Sequence, residues 1–349
     1  MNATKNVDDL LLKIGGFGRY QKLLIAANII FFFGNNWQVI LSNFIAAEPN
    51  HWCKLPEFEN QNQSYVKDIL IPKITDEFGR KVFDQCNMLD GISEKNITHV
   101  NDSNYGTVYT LGDMENSTVK YITVPCKYGW SYDQSEFIST IVTQYQLVCD
   151  NEWMMTLPAM AFIVGILTGA FLSGYLSDRF GRQRTALLFT VLQISATVGG
   201  AFTIHFWMFL TLRYLVGCSW IGSYAVFWVL IIEQMPPVHR SHCTFYVTLG
   251  RITRCRLPIV AYFIRNHAHL QIASAIVAIP GLICLMVLPE SPRWLLAQKK
   301  VKRFEKVIKK IAKINKAEYL PEYRDGILLS DVKTGDNKDK RPRVLSLIY

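Results

Sequence analysis

The sequence predicts an all-α membrane protein with a large polar loop between its first and second spans. Three observations predict it. Half of the 349 residues are hydrophobic, and they are gathered into six runs of about 20 residues, each long enough to cross about 30 Å of hydrocarbon. The positive charges fall on alternate connections between those runs. The one long connection carries sequons and cysteines instead.

The six runs are about Leu23–Ala47, Trp153–Leu176, Thr185–Ile204, Trp207–Ile232, Cys243–Ile264 and Leu270–Leu288. The formal charge of +9 would suit nucleic acid if it were clustered on a soluble face, but Lys5, Lys13, Arg19, Lys22, Arg179, Arg182, Arg184, Arg240 and the group from Arg293 onward are sorted to one side. The positive-inside rule reads that side as cytoplasmic and puts both termini there. No nucleic-acid partner is expected; the lipid bilayer is.

Residues 1–22 are then a cytoplasmic N-terminus, 23–47 the first span, 48–152 an extracellular loop, 153–288 spans two to six, and 289–349 a cytoplasmic amphipathic helix and charged tail. The first run is too long for a signal-peptide core and lacks a small-residue cleavage site, so it reads as an uncleaved span. Asn28, Asn35, Asn36 and Gln38 within it are costly against lipid. They face a wet cavity or other helices, with Asn36 and Gln38 as cavity candidates.

The loop has more Asp and Glu than Lys and Arg, and sequons at Asn62, Asn96, Asn101 and Asn116 mark it as glycosylated. The Asn2 sequon lies on the cytoplasmic side and is discounted. Cys53, Cys86, Cys126 and Cys149 lie in the same loop, where an oxidising compartment favours two disulfides. Four cysteines allow three pairings and the sequence does not choose. A loop of about 100 residues is either a small folded ectodomain or a disordered insert, and its cysteines favour partial order. No Cys/His spacing resembles a metal site, and no cofactor is expected.

In the second run Gly165, Gly169 and Gly174 have the spacing that lets helices approach closely. The fourth holds Arg213, and Trp220, Tyr224 and Trp228 recur at i, i+4, i+8 as one aromatic stripe. Such a stripe can line a cavity for aromatic or cationic solutes; a lipid-facing or packing face is the reading that spacing alone favours. The fifth run is anomalous. Arg251, Arg254 and Arg256 near its middle cost roughly 7–10 kcal/mol together on an insertion scale, and Arg251 shares a face with Arg254 while Arg256 points away. No Asp or Glu lies inside any run to pair with them, so an anionic solute or lipid compensates them or the segment is no ordinary span.

After Leu288, Pro289-Glu290-Ser291-Pro292-Arg293-Trp294-Leu295 forms a turn. Val301, Phe304, Val307, Ile308 and Ile311 then make the apolar stripe of a basic helix, suited to the membrane surface, the inner ends of the spans or, less well, a partner protein's groove. The stretch Ser330–Arg343 is charged and expected to be disordered, and Val344–Tyr349 resembles the start of another apolar segment.

Several motifs together resemble the organic cation/anion transporter family of solute carriers within the major facilitator superfamily. Gly174-Tyr175-Leu176-Ser177-Asp178-Arg179-Phe180-Gly181-Arg182 is similar to the superfamily's signature loop between spans two and three. The narrower family is carried by Gly15-Gly16-Phe17-Gly18-Arg19, by Phe44, Ala46, Pro49, His51 and Cys53, by Ser135-Glu136-Phe137, Ser139–Thr143 and Leu147–Asp150, and by Pro289–Leu295. The resemblance covers nearly the whole chain.

It implies a major-facilitator-type N-terminal six-helix lobe from a twelve-span, plasma-membrane transporter that moves small organic ions by alternating access between two lobes. Gly174 and Gly181 would permit close approach and a tight turn, and Asp178 would pair with Arg182 in a gating latch, beside Arg179. Arg213, Glu233, Arg240, Glu290 and Arg293 would extend that charge network. The chain ends at Tyr349 with one lobe, so it is expected to be a shortened or incomplete form, with a second lobe or a transporter as partner. The arginines of the fifth run lean the substrate toward organic anions.

No nucleophile/base pair or phosphate-binding loop argues for an enzyme. Two alternatives stand beside transport. One is a non-transporting half-transporter that modulates a full-length relative, and the other is a glycosylated surface receptor built on the loop.

Overall fold

The computed structural model describes residues 7–54, 71–75, 81–89, 98–102, 106–110, 123–241, 244–245 and 255–318. Contacts divide the chain into two compact units. One comprises Met1–Ser42, Pro158–Tyr262 and Ala268–Tyr349; the other comprises Asn43–Leu157 and Phe263–His267.

The first unit is helical. A short helix α1 (Val7–Lys13) is followed by α2 (Arg19–Asn35) and α3 (Trp37–Ile45). The first apolar run is thus divided at Asn36, a junction its hydrophobicity did not announce. After the second unit's short helix α4 (Ile141–Tyr145) come α5 (Leu157–Phe180), α6 (Arg182–Ala201) and α7 (Phe206–Glu233). Then follow α8 (Arg256–Phe263), α9 (His267–Val287), α10 (Pro292–Ala297) and α11 (Val301–Asn315).

Among the described residues, four helical stretches are long and apolar enough to cross a membrane: Arg19–Ile45, Cys149–Phe180, Phe206–Glu233 and His267–Val287. Helix α6 has the length, 20 residues or about 30 Å, but is less apolar. It starts at Arg182, earlier than the run expected at Thr185, and it buries Thr190, Gln193 and Thr197. Of the expected fifth run only residues 244–245 and 255 onward are described; Arg251 and Arg254 lie outside the described residues.

Backbone hydrogen bonds within helices leave no polar main chain to lipid, which is why apolar helices can expose their side chains there. Helix α5 does so, presenting Met160, Ile163, Leu167 and Phe171, the last 82% exposed, at helical spacing. Its other face approaches α7 closely. A Cβ on Gly165 would meet the Tyr214 carbonyl, one on Gly169 the Cys218 backbone and one on Gly217 the Phe162 carbonyl. Gly174 takes no part in this approach, since a Cβ there would meet nothing within 4 Å. The three-glycine pattern therefore extends one residue too far: the buried face runs on through Ser173 and Ser177, and Gly174, five residues after Gly169, points off it.

The main core cluster joins Leu10 and Leu11 of α1 and Ile14 just after it, Leu24, Phe31 and Phe32 of α2, Phe227, Leu230 and Ile231 of α7, and Phe304, Ile308 and Ile311 of α11. The apolar face of the basic helix is thus buried in the protein's own core, while its lysines stay outside.

Among the described residues the second unit pairs eight short strands two by two, all antiparallel: β1 (His51–Cys53) with β8 (Trp130–Tyr132), β2 (Lys73–Thr75) with β3 (Lys81–Phe83), β4 (Asn87–Leu89) with β7 (Thr123–Pro125), and β5 (Thr98–Asp102) with β6 (Gly106–Thr110). Isolated pairs this short are not stable by themselves. Covalent links support them: Cys53 is bonded to Cys126 and Cys86 to Cys149, closing loops of 73 and 63 residues. Asn101 falls on the β5 backbone; Asn62, Asn96 and Asn116 lie outside the described residues.

Candidate functional site

Two groups of polar residues stand out in the helical unit. The first is buried. Gln193 Nε2 donates to Asn35 Oδ1 at 2.6 Å, Asn35 Nδ2 to Ser223 Oγ at 3.2 Å, and Ser223 Oγ to Gln193 Oε1 at 3.1 Å. These three side chains form a closed ring of hydrogen bonds between α2, α6 and α7. Trp220 Nε1 donates to the Asn35 carbonyl at 2.9 Å. Gln38 reaches Thr197 Oγ1 at 3.2 Å and Ser274 Oγ at 3.3 Å through its amide nitrogen.

Arg213, about 15 Å from Ser223 along α7, joins this group through Gln38 and not through the ring. Its Nη1 donates to Gln38 Oε1 at 3.4 Å and its Nη2 to Ser42 Oγ, and the guanidinium sits 4.9 Å from the centre of the Phe162 ring. It is 3% exposed, its Nε has no hydrogen-bond partner, and no carboxylate among the described residues pairs with it. Neutral amides, hydroxyls and an aromatic face solvate the charge without cancelling it, which leaves a site with positive potential.

The aromatic stripe divides. Trp220 is buried against Phe162, with ring centroids 6.0 Å apart, and stands 5.4 Å from Tyr224. Tyr224 and Trp228 pack on Phe32, at 4.7 and 6.4 Å. Asn36 is buried at the α2–α3 junction. Arg256 lies over the Phe33 ring at 3.1 Å and donates to the Phe33 carbonyl at 3.3 Å.

The second group gathers at the ends of α5, α7 and α9. Helix α5 continues through Asp178 and Arg179 to Phe180, so the signature segment is mostly helix and the turn is Gly181 alone, with φ at +110°. A Cβ at Gly181 would meet the Glu290 carboxylate. Glu290 Oε1 accepts from the backbone N–H groups of Arg182 at 2.9 Å, Gln183 at 3.0 Å and Ser291 at 3.0 Å, so an acidic side chain from beyond α9 caps the N-terminus of α6, where the helix dipole favours it.

Arg182 pairs with Asp178 and, at 3.5 Å, with Glu233, and donates to Ser177 Oγ at 2.7 Å. Asp178 is 73% exposed, whereas Arg182 and Glu233 are 16% and 19% exposed. The Arg182–Glu233 contact is therefore the better shielded one. Trp294 Nε1 also donates to the Asp178 carbonyl at 2.8 Å, and Arg179 turns to Tyr175 Oη at 3.0 Å. Arg240 and Arg293 converge on Asp8 of α1.

Residues 108–334 match the family model described as sugar (and other) transporter. The chain belongs to that family, part of the major facilitator superfamily. Its relatives are solute carriers of family 22. The chain is 32% identical to solute carrier family 22 member 7 of Mus musculus over 97% of this chain and 62% of that protein, and 33% identical to the mouse organic cation/carnitine transporter 2 over 89% and 54%. The beta-alanine transporter of Drosophila melanogaster is 32% identical over 88% of this chain and 52% of its own length. The chain thus spans between half and two thirds of the length of these relatives. The solved xylose transporter XylE from E. coli aligns at 15% identity with a TM-score of 0.48, over 92% of this chain and 59% of that one.

Family membership with this helix set makes the chain a multi-pass membrane protein of the solute-carrier kind. Sequence reasoning missed Asp8, Ser42, Phe162, Gln193, Thr197, Ser223 and Ser274 of these two groups. None carries a motif, and only the unusual polarity of α6 hinted at Gln193. In the second unit, His51, Cys86 and Cys149 lie within 4.8 Å of one another, but both sulfurs are spent on the disulfide. Burial and then the Glu48 carboxylate push the Tyr132 phenol up to about 12, so it stays neutral.

Proposed function

We propose that this chain supplies the N-terminal lobe of a plasma-membrane transporter that moves small organic ions by alternating access, with both termini cytoplasmic and the disulfide-bonded unit outside. The observation that carries the reading is the polar centre of an otherwise apolar lobe: Arg213, Gln38 and the Asn35–Gln193–Ser223 ring are buried where lipid would not tolerate them. Membership in a transporter family supports the same assignment.

The lean is toward organic anions. A buried guanidinium with no paired acid among the described residues favours a ligand that brings a carboxylate or a similar anionic group. The charged end, with Arg182 between Asp178 and Glu233, would act as the gate that a second lobe or transporter partner engages. Transport needs no chemical step from the protein, so an enzymatic role is not proposed.

Uptake of labelled aromatic carboxylates and labelled quaternary ammonium ions by cells expressing residues 1–349 tests this. Uptake of the anions above that of mock-transfected cells supports it. Background uptake of every solute, with the protein at the surface, rules out autonomous transport.

A further inference from the structure

We propose that Asp8 is a positioning residue for the charged end: one carboxylate on the N-terminal helix holds Arg240 and Arg293 together and makes α1 a detachable clip across that end. Arg240 Nη2 reaches Asp8 Oδ1 at 3.1 Å and Arg293 donates to the same oxygen. The two arginines come from different places, one from the connection after α7 and one from the first turn of α10. Each has a buried Nε without a hydrogen-bond partner, and Asp8 is the acid that pairs with either among the described residues. Two like charges are thus brought side by side by one opposite charge, and removing that charge leaves them to repel.

The helix that carries Asp8 has the build of a clip. Its seven residues are too few for a helix to persist in water unaided, so α1 is ordered by what it touches. Leu10, Leu11 and Ile14 are fully buried in the cluster that also holds Phe304, Ile308 and Ile311 of α11. The link to α2 runs through Gly15 and Gly16, at φ +119° and +49°. It is fastened by Asn315, whose Nδ2 donates to the Ile14 carbonyl at 3.1 Å and whose Oδ1 accepts from the Tyr20 N–H at 2.8 Å. Apolar contact thus seats α1, while Asp8 ties it to the two arginines of the end read above as a gate.

The inference rests on that reading for its meaning, but its test needs no transport. Amide hydrogen exchange is followed in the full chain in lipid nanodiscs, for the wild type, Asp8→Asn, Asp8→Glu and Asp9→Asn. Asp9 is the exposed neighbour and has no ion pair among the described residues. Asp8→Asn is expected to speed exchange about three- to tenfold in α1 and also around Arg240 and in α10. Asp8→Glu is expected to restore slow exchange, and Asp9→Asn to change nothing.

A residue that merely anchored its own helix would loosen α1 alone. If Asp8→Asn behaves like Asp9→Asn, or loosens only α1, the proposal is overturned. Should Asp8→Asn fail to fold, wild-type protein decides: raising salt from about 0.05 to about 1 M must speed exchange in α1 and α10 relative to β1, and an equal response of all three overturns the proposal.

Discussion

The buried polar centre and the charged end lie in the same helical unit and solve opposite problems. At the centre one positive group, Arg213, is surrounded by neutral partners, with Gln38, Ser42 and the Phe162 ring around it. At the end, charges of both signs alternate: Asp178, Arg182, Glu233 and Glu290, then Arg240, Asp8 and Arg293. A network that is balanced within the protein holds its own shape. A charge left unbalanced in a dry setting can be completed by an anionic ligand. On the proposed function the end would hold and the centre would receive.

The sharpest way to break this contrast is at Arg213. Arg213→Met is expected to lower the affinity for an organic anion by roughly thirtyfold or more, in line with the 2–5 kcal/mol typical of truncating one side of a buried charge contact. The lobe should fold as well as before, because an apolar replacement removes a desolvated charge. Isothermal titration and a thermal melt on the same preparation check both halves; lost stability with unchanged affinity would make Arg213 a structural residue.

Next in size is Gly181→Ala. Alanine must adopt φ near +110° and its methyl would press on the Glu290 carboxylate, so a loss of about 1–3 kcal/mol is expected, read as a lower melting temperature. Glu290→Gln keeps an acceptor and removes the charge that caps α6; about 1 kcal/mol should go, with faster amide exchange at Arg182 and Gln183. The smallest effect is expected at Asp178. Because its carboxylate is mostly exposed, Asp178→Asn should cost less than about 1 kcal/mol of stability, by the same melt. A larger loss would shift the weight of the charged end from Glu233 to Asp178.

Much of the helical unit was legible because its signals are local. Runs of apolar residues locate α2, α5, α7 and α9 whatever they pack against, and Asp178 and Arg182 are so near in the chain that the Gly181 turn between them is enough to bring them together. Interruptions within the runs were less legible. Gly34-Asn35-Asn36 marks the break between α2 and α3 but sits inside one long apolar run that reads as a single span, and the signature segment read as a loop is helix up to Phe180. Its charges face solvent at the helix end, so they need not break the backbone pattern. Gly174 shows that spacing must be read strictly: Gly165 and Gly169 are four residues apart and share a face, whereas a step of five carries Gly174 away from it.

The sequence by itself determined the apolar segments, the sorting of charge along the chain and the motifs that mark a solute-carrier relative. These follow from periodicity and from residues near one another in the chain. Only the tertiary structure decided that Cys53 joins Cys126 and Cys86 joins Cys149, that Arg213 is buried with no acid beside it among the described residues, and that Asp8 meets Arg293 across 285 residues. Such meetings leave no pattern in the chain. They depend on how helices and strands stack once their apolar faces are buried, and a single carboxylate in a seven-residue helix acquires its partners only when that stacking is complete.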